Sequence, residues 1–237
     1  MNVKNHFVDR RHFLKLSAAA TLILAATSDL GLRVQQAEAA ELPTNPQPKP
    51  DAALQKLLEG NQRFIRHQPQ YPHQSQTRML ELAQTQHPFA TVLTCADSRV
   101  PVELLFDQGI GDIFDIRIAG NIAIPETVGS IEYAVALLGT PVVMVLGHER
   151  CGAVTAAVEN TPLPGEIGSF VKAILPAVDQ VKGRSGDVVD NAVIANVHYQ
   201  IEQLKRSPIL TERLRSGDLK IVGGRYDLDT GTVKILT

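Results

Sequence analysis

The feature that most constrains the fold is an alternation of short apolar runs with helical patterns over residues 89–237. The runs have the length and β-branched content of buried strands, and they read "FATVLTC", "IFDIRIA", "PVVMVLGH" and "LKIVGGRYDL". Between them, segments such as "TVGSIEYAVALLG" repeat their apolar residues at helical spacing. This alternation predicts βαβ units arranged around a parallel sheet.

The two ends of this region add an edge strand and an arm. Near the C-terminus, Asp229-Thr230-Gly231 is a turn signal between two apolar stretches, which indicates a hairpin. We therefore expect an α/β fold with a mostly parallel four-stranded sheet, an antiparallel edge strand and flanking helices. Helical patterns over "ALQKLLEGNQRFIRHQ" and "SQTRMLELAQTQ" predict an N-terminal helical arm ahead of Pro88.

The first residues resemble a twin-arginine export signal. Arg10 and Arg11 precede a modest apolar stretch, and "AEA" at 37–39 is a small-x-small cleavage site. The alternatives are an amphipathic N-terminal helix and an ordinary secretory signal with two arginines in its charged region. We predict a removed signal peptide over 1–39, a proline-rich linker over 40–51 and one domain over 52–237.

This organisation predicts where the protein acts. We expect the twin-arginine export machinery as a partner and the bacterial periplasm as the location, or the thylakoid lumen if the source has one. The formal net charge of −2 leaves no basic field for nucleic acid. No apolar run is long enough for a stable membrane span once the signal is removed.

Chemically distinctive residues stand at the ends of two predicted strands. Cys95, Asp97 and Arg99 follow the first apolar run, and His148 ends the third, three residues before Cys151. The carboxyl ends of parallel strands meet at one edge of the sheet. We expect Cys151 in the first turn of a helix, facing the same way as His148. Two thiolates and one imidazole form a known catalytic zinc set.

Local chemistry alone leaves two alternatives open. Two cysteines in an exported protein also suggest a disulfide, although a disulfide explains neither His148 nor the charged pair. Asp97 and Arg99, two positions apart, are also compatible with a simple surface ion pair.

Over about residues 52–237 the chain resembles the β-class carbonic anhydrases. The resemblance is carried by "CADSRVPVELLF" and "GHERCGAV", with "IRIAGNI" between them, where Ile118 departs from the usual asparagine. It implies an enzyme that interconverts carbon dioxide and bicarbonate at a zinc ion, in a homodimer or higher homo-oligomer. The residues carried over are Cys95, His148 and Cys151 as zinc ligands, Asp97 and Arg99 as the catalytic dyad, and Gln86 and Gly152 as substrate-binding residues.

The chemistry implied by the resemblance explains why each of these residue types is needed. Zinc lowers the pKa of a bound water from about 15.7 towards about 7, so hydroxide is available to attack carbon dioxide. Asp97 would orient this hydroxide and would become a zinc ligand only in a closed state, which Arg99 prevents. Gln86 would reach the pocket of the neighbouring subunit. Carbon disulfide or carbonyl sulfide as substrate, and a non-enzymatic exported protein, are the alternatives.

Overall fold

The computed structural model describes residues 47–236, and its five strands form one sheet. The strand order is β2-β1-β3-β4-β5; β1 to β4 pair in parallel, and β5 pairs with β4 antiparallel. The strands are β1 Ala90–Thr94, β2 Ile113–Arg117, β3 Val142–His148, β4 Lys220–Tyr226 and β5 Val233–Leu236. The predicted α/β fold, with four parallel strands and an antiparallel edge strand, is confirmed.

Helices cover both faces of this sheet. Their bounds are α1 Pro50–Ile65, α2 Gln76–Leu82, α3 Val102–Leu105, α4 Pro125–Ala136, α5 Gly152–Glu159, α6 Gly168–Asp179, α7 Val188–Leu204 and α8 Pro208–Ser216. Short 3₁₀ turns lie at Ala119–Asn121 and Gly165–Ile167. Among residues 47–236, none of these helices combines the length and the apolar character that a membrane crossing requires.

The central strand β3 shows why the strands read as continuous apolar runs. Every residue of β3 is buried. Met144 and Leu146 face a core cluster that includes Leu57 of α1, whereas Val143 and Val145 face a second cluster that includes Val197 of α7. A strand covered on both faces needs apolar residues at every position, so the alternation typical of a half-exposed strand is absent.

The predicted N-terminal arm is helical, and its two helices differ in how they pack. In α1, Ala53 and Leu57 are fully buried against the cluster that covers the sheet. In α2 no residue is buried, and Met79 and Leu80 are mostly exposed. Helix α1 is therefore part of the core of its own chain, whereas α2 leaves apolar surface uncovered.

The predicted signal peptide over 1–39 and most of the predicted linker lie outside the described residues. Helix α1 begins at Pro50, with proline in its first turn, where the missing N–H costs nothing. Helical structure thus starts two residues before the predicted domain boundary at 52.

Candidate metal centre

The carboxyl ends of β1 and β3 place two of the predicted ligands side by side. These strands are neighbours in the sheet, and Thr94 pairs with Leu146. Cys95 follows Thr94 directly, and His148 is the last residue of β3. Because both strands point the same way, their end residues meet at one edge of the sheet, as the sequence predicted.

Cys151 reaches the same point by a route that the sequence reading did not anticipate. The prediction that Cys151 lies within the first turn of a helix was wrong. It is the N-cap residue of α5, with extended backbone angles (φ −68°, ψ 117°), and Arg150 before it has a φ of +49°. His148 and Cys151 therefore converge because a tight turn joins the strand to the helix, not because helical spacing places them on one face.

The three side chains form a compact, buried cluster. The Cys95 and Cys151 sulfurs and a nitrogen of His148 all lie within 4.8 Å of one another. The exposed fractions are 5% for Cys95, 0% for His148 and 1% for Cys151. Both cysteines are free, and their sulfurs are 3.9 Å apart, whereas a disulfide bond is about 2.05 Å long. The structure therefore has the metal-type cluster and not the disulfide.

The His148 ring is held with one nitrogen aimed at the sulfurs. Its Nδ1–H donates to the Glu149 carbonyl oxygen at 2.8 Å, which leaves Nε2 as the lone-pair nitrogen. Nε2 is buried and has no hydrogen-bond partner among the described residues. A buried acceptor without a partner is costly, and a metal ion would satisfy it. Two sulfurs and one such nitrogen suit zinc, with a fourth position left for water.

The two thiols perturb each other strongly. A hydrogen bond from the Cys151 thiol lowers the pKa of the Cys95 thiol to about 4, although burial opposes this shift. The same bond, together with burial, raises the pKa of the Cys151 thiol. One proton is thus shared between two sulfurs that both bind metals as thiolates. A cation would replace this proton.

Asp97 and Arg99 form a bidentate pair at the edge of the cluster. Arg99 donates from Nε to Oδ1 of Asp97 at 3.0 Å and from Nη2 to Oδ2 at 2.8 Å. The same Oδ2 is 3.9 Å from Nε2 of His148, so this pair belongs to the site and is not merely a surface ion pair. The hydrogen bond from Arg99 holds the pKa of the Asp97 carboxyl well below its usual range.

Gln86 lies at the opposite end of β1 from the cluster. It is exposed in the loop before Ala90, whereas Cys95 follows the last residue of the strand. A five-residue strand is about 16 Å long, which is beyond the reach of a glutamine side chain. Within one chain the structure therefore does not bring Gln86 to the cluster.

Gly152 adjoins the cluster directly. It opens helix α5 next to Cys151, and a Cβ placed there would meet nothing within 4 Å. The space beside Cys151 is therefore open in the single chain.

Two contributors at and just after the end of β2 are not among the site residues predicted from the sequence. Arg117 donates to the carbonyl oxygens of Asp97 at 2.6 Å and Cys95 at 3.3 Å, and so fixes the backbone that carries both side chains. Gly120 donates its N–H to the Cys95 sulfur at 3.4 Å. The signal available in the sequence was the segment "IRIAGN", which spans the end of β2 and the turn after it, at the same sheet edge as the end of β1.

Comparisons with known proteins agree with this geometry. Residues 90–233 match the family model described as carbonic anhydrase. The chain is 42% identical over 193 residues to carbonic anhydrase 2 of Mycobacterium tuberculosis, covering 78% of this chain and 92% of that protein. Among solved structures it is similar to the β-carbonic anhydrase CcaA, with a TM-score of 0.63, 28% identity and coverage of 78% of this chain and 95% of that one. It is likewise similar to a tetrameric β-carbonic anhydrase of Sordaria macrospora, with a TM-score of 0.62, 25% identity and coverage of 78% and 97%.

Proposed function

The chain belongs to the β-class carbonic anhydrases, and from that premise we propose that it hydrates carbon dioxide reversibly at a zinc ion held by Cys95, His148 and Cys151. The reaction consumes one carbon dioxide and one water and yields bicarbonate and a proton. One observation carries the proposal of zinc. The buried Nε2 of His148 has no partner among the described residues, and a nitrogen of this ring lies within 4.8 Å of two free cysteine sulfurs.

Zinc bound to these three ligands would supply a water whose pKa falls to about 7, so that a nucleophile exists at working pH. The protein's own task is then to orient that nucleophile. Asp97 is suited to accept its hydrogen bond, since the carboxylate lies beside His148 and stays ionised through its pair with Arg99.

Arg99 has a second task, which is to keep Asp97 from becoming a ligand itself. Asp97 Oδ2 is 3.9 Å from His148 Nε2, so the carboxylate is already close to the position that a metal would take. The two hydrogen bonds from Arg99 hold both carboxylate oxygens. In a closed state, loss of these bonds would let Asp97 take the fourth coordination position and exclude water.

Gly152 and Gln86 would complete the binding of substrate. The open space beside Gly152 suits a molecule as small as carbon dioxide, because no side chain of the same chain fills it. Gln86, at the far end of β1, would act on the site of a neighbouring subunit.

This role for Gln86 requires at least a homodimer. Uncovered apolar side chains on α2, Met79 and Leu80, support such an assembly. The Sordaria macrospora relatives are tetrameric. We assign the chain a homodimer or a higher homo-oligomer.

The location proposed for the enzyme is outside the cytoplasm. It rests on the sequence around Arg10 and Arg11 and the cleavage site at 37–39. Export by the twin-arginine machinery carries folded proteins and would deliver the enzyme with its zinc already bound.

Stopped-flow hydration of carbon dioxide, followed with a pH indicator on purified protein, tests the function. Zinc content is measured on the same sample, and removal with a chelator followed by zinc addition is the control. We expect about one zinc per chain and turnover that disappears and returns with the metal. Turnover that is unchanged in metal-free protein would overturn the zinc proposal, and activity only on carbonyl sulfide or carbon disulfide would overturn the substrate.

A further inference from the structure

The 3₁₀ turn at Ala119–Asn121 supplies a hydrogen bond to one of the proposed ligands. It follows β2, and the Gly120 N–H points at the Cys95 sulfur with an N···S distance of 3.4 Å. Hydrogen bonds to a ligating thiolate reduce the charge that the sulfur donates to its metal, so this bond bears on the chemistry of the centre.

The conformation of this turn is not one that the segment would adopt unaided. Gly120 has a φ of +75° and Asn121 a φ of +45°, so two successive residues lie in the left-handed region. A Cβ at Gly120 would lie 2.5 Å from Cδ1 of Ile174, and at this φ a residue with a Cβ is strained, so the position favours glycine. A backbone of this kind persists where the surrounding structure holds it in place.

Two polar side chains of α7 hold the turn from both ends. Asn196 donates from Nδ2 to the Gly120 carbonyl oxygen at 2.9 Å. Gln200 accepts at Oε1 from the N–H of Ala123 at 2.9 Å. The two side chains are joined by a bond of 2.8 Å from Gln200 Nε2 to Asn196 Oδ1.

These two side chains are buried, so their amide groups depend on the hydrogen bonds that they make within the protein. Asn196 is 0% exposed and Gln200 1% exposed, four residues apart on one face of the helix. Polar groups buried at this depth are costly unless their partners are all present. Since Gln200 also donates to the Ala173 carbonyl oxygen at 3.3 Å, the pair is tied to α6 as well.

We propose that Asn196 and Gln200 are positioning residues for the metal centre, which hold the 119–123 turn so that the Gly120 N–H stays bonded to the Cys95 sulfur. The inference rests on the proposed zinc site. It adds that the hydrogen bond from Gly120 sets how much charge the Cys95 thiolate donates to the metal. The bond withdraws charge from one of two thiolates that would otherwise neutralise the zinc. It thereby keeps the metal a better Lewis acid and fixes the orientation of Cys95.

Cadmium substitution of the wild-type protein tests the hydrogen bond itself. With ¹¹³Cd in place of zinc, a scalar coupling between cadmium and the Gly120 amide proton reports an N–H···S bond to a metal-bound sulfur. We expect this coupling in the wild type. Its absence in a protein that binds cadmium stoichiometrically would overturn the proposal.

Asn196→Leu tests the role of the side chains, with Leu204→Ala as the matched control. Leu204 is on the same helix and fully buried, but it lies about two turns beyond Asn196, in a core cluster that contains none of the three proposed ligands. We expect Asn196→Leu to weaken zinc binding about tenfold or more, to shift the sulfur-to-cobalt charge-transfer band of the cobalt form and to lose the cadmium coupling. Leu204→Ala should lower the melting temperature and leave all three unchanged.

The outcomes separate this inference from the proposed function. If Asn196→Leu and Leu204→Ala have the same zinc affinity and the same cobalt spectrum, the positioning role is wrong while the zinc enzyme stands. If the wild type binds no zinc, both proposals fall. If Asn196→Leu does not fold, the coupling is measured in Gln200→Leu, where a coupling as strong as in the wild type would overturn the role of the pair.

Discussion

Arg99 holds both carboxylate oxygens of Asp97, with Nε 3.0 Å from Oδ1 and Nη2 2.8 Å from Oδ2. The oxygen bound by Nη2 is also 3.9 Å from Nε2 of His148. One guanidinium therefore sets the charge of a carboxylate beside the metal cluster and restrains its position. A lysine would match the charge but not the two-point geometry.

Replacing Arg99 with alanine should leave zinc in place and lower turnover near neutral pH by about a hundredfold, because Asp97 is freed to bind the metal. The cobalt-substituted variant should show four protein ligands and no exchangeable water. Arg184→Ala, which removes an exposed guanidinium elsewhere, is the control and should behave as wild type. A cobalt spectrum that still shows bound water would count against this role of Arg99.

Cys151→Ser should lose zinc and activity together, since a hydroxyl is a harder and less basic ligand than a thiolate. Zinc per chain, measured after dialysis, should fall from about one to well below one. Ala157→Ser puts the same hydroxyl on a buried position of α5 that is six residues beyond Cys151 and is not a proposed ligand, and it controls for destabilisation of the helix. Stoichiometric zinc in Cys151→Ser would mean that this cysteine is not a ligand.

Mixed oligomers should show that Gln86 acts across a subunit boundary. A chain with Cys151→Ser keeps Gln86 but has no metal site, and a chain with Gln86→Ala keeps the metal site. Refolded together, they should form hybrids in which one working site is restored, with turnover clearly above the sum of the two variants alone. Turnover equal to that sum would place Gln86 outside the partner's site.

Asp115 on β2 should make stability depend on pH. Burial, followed by the nearby negative charge of Glu103, raises the pKa of this carboxyl from its usual 3.8 to about 6. The folded state then binds the proton more tightly than the unfolded state, so the free energy of unfolding falls as pH rises from about 4 to about 6. Above about pH 6 Asp115 is ionised in the folded state, and its half-buried charge lowers the free energy of unfolding by the full amount.

Asp115→Asn should remove this penalty. At pH 8 the variant should be more stable than wild type by about 1 kcal/mol, after allowance for solvent screening of a half-buried group. The gain should vanish near pH 4, as measured by urea unfolding across the range. Glu212→Gln, which removes one exposed negative charge, is the control. A gain that does not change with pH would contradict the raised pKa of Asp115.

Replacing Arg10 and Arg11 with lysines should keep the enzyme in the cytoplasm, active and loaded with zinc. A twin-arginine signal would be recognised by a receptor that reads the arginines themselves, so charge alone would not suffice. Cell fractionation with an activity assay measures the outcome. Export at the wild-type level would show that an ordinary secretory signal is used.

The sequence by itself determined the sheet and the chemical identity of the cluster. Strands such as β1 and β3 are buried on both faces. Burial on both faces favours apolar residues at nearly every position, so each strand can be recognised in the sequence as a continuous apolar run. Because β1 and β3 run parallel, the residues that follow such runs share one edge of the sheet. Cys95 and His148 could therefore be placed together from their positions alone.

Only the tertiary structure decided how the cluster is held. The turn that makes Cys151 an N-cap residue depends on a positive φ at Arg150. Positive φ is uncommon for residues other than glycine, so an arginine in the sequence does not predict such a turn. Asn196 binds the Gly120 carbonyl across 76 residues of chain, and Arg117 binds carbonyls of the loop after β1. Every residue has a backbone carbonyl group, so the residue type does not indicate which carbonyl accepts a hydrogen bond from a distant side chain. Only the packed fold shows which carbonyl is the acceptor.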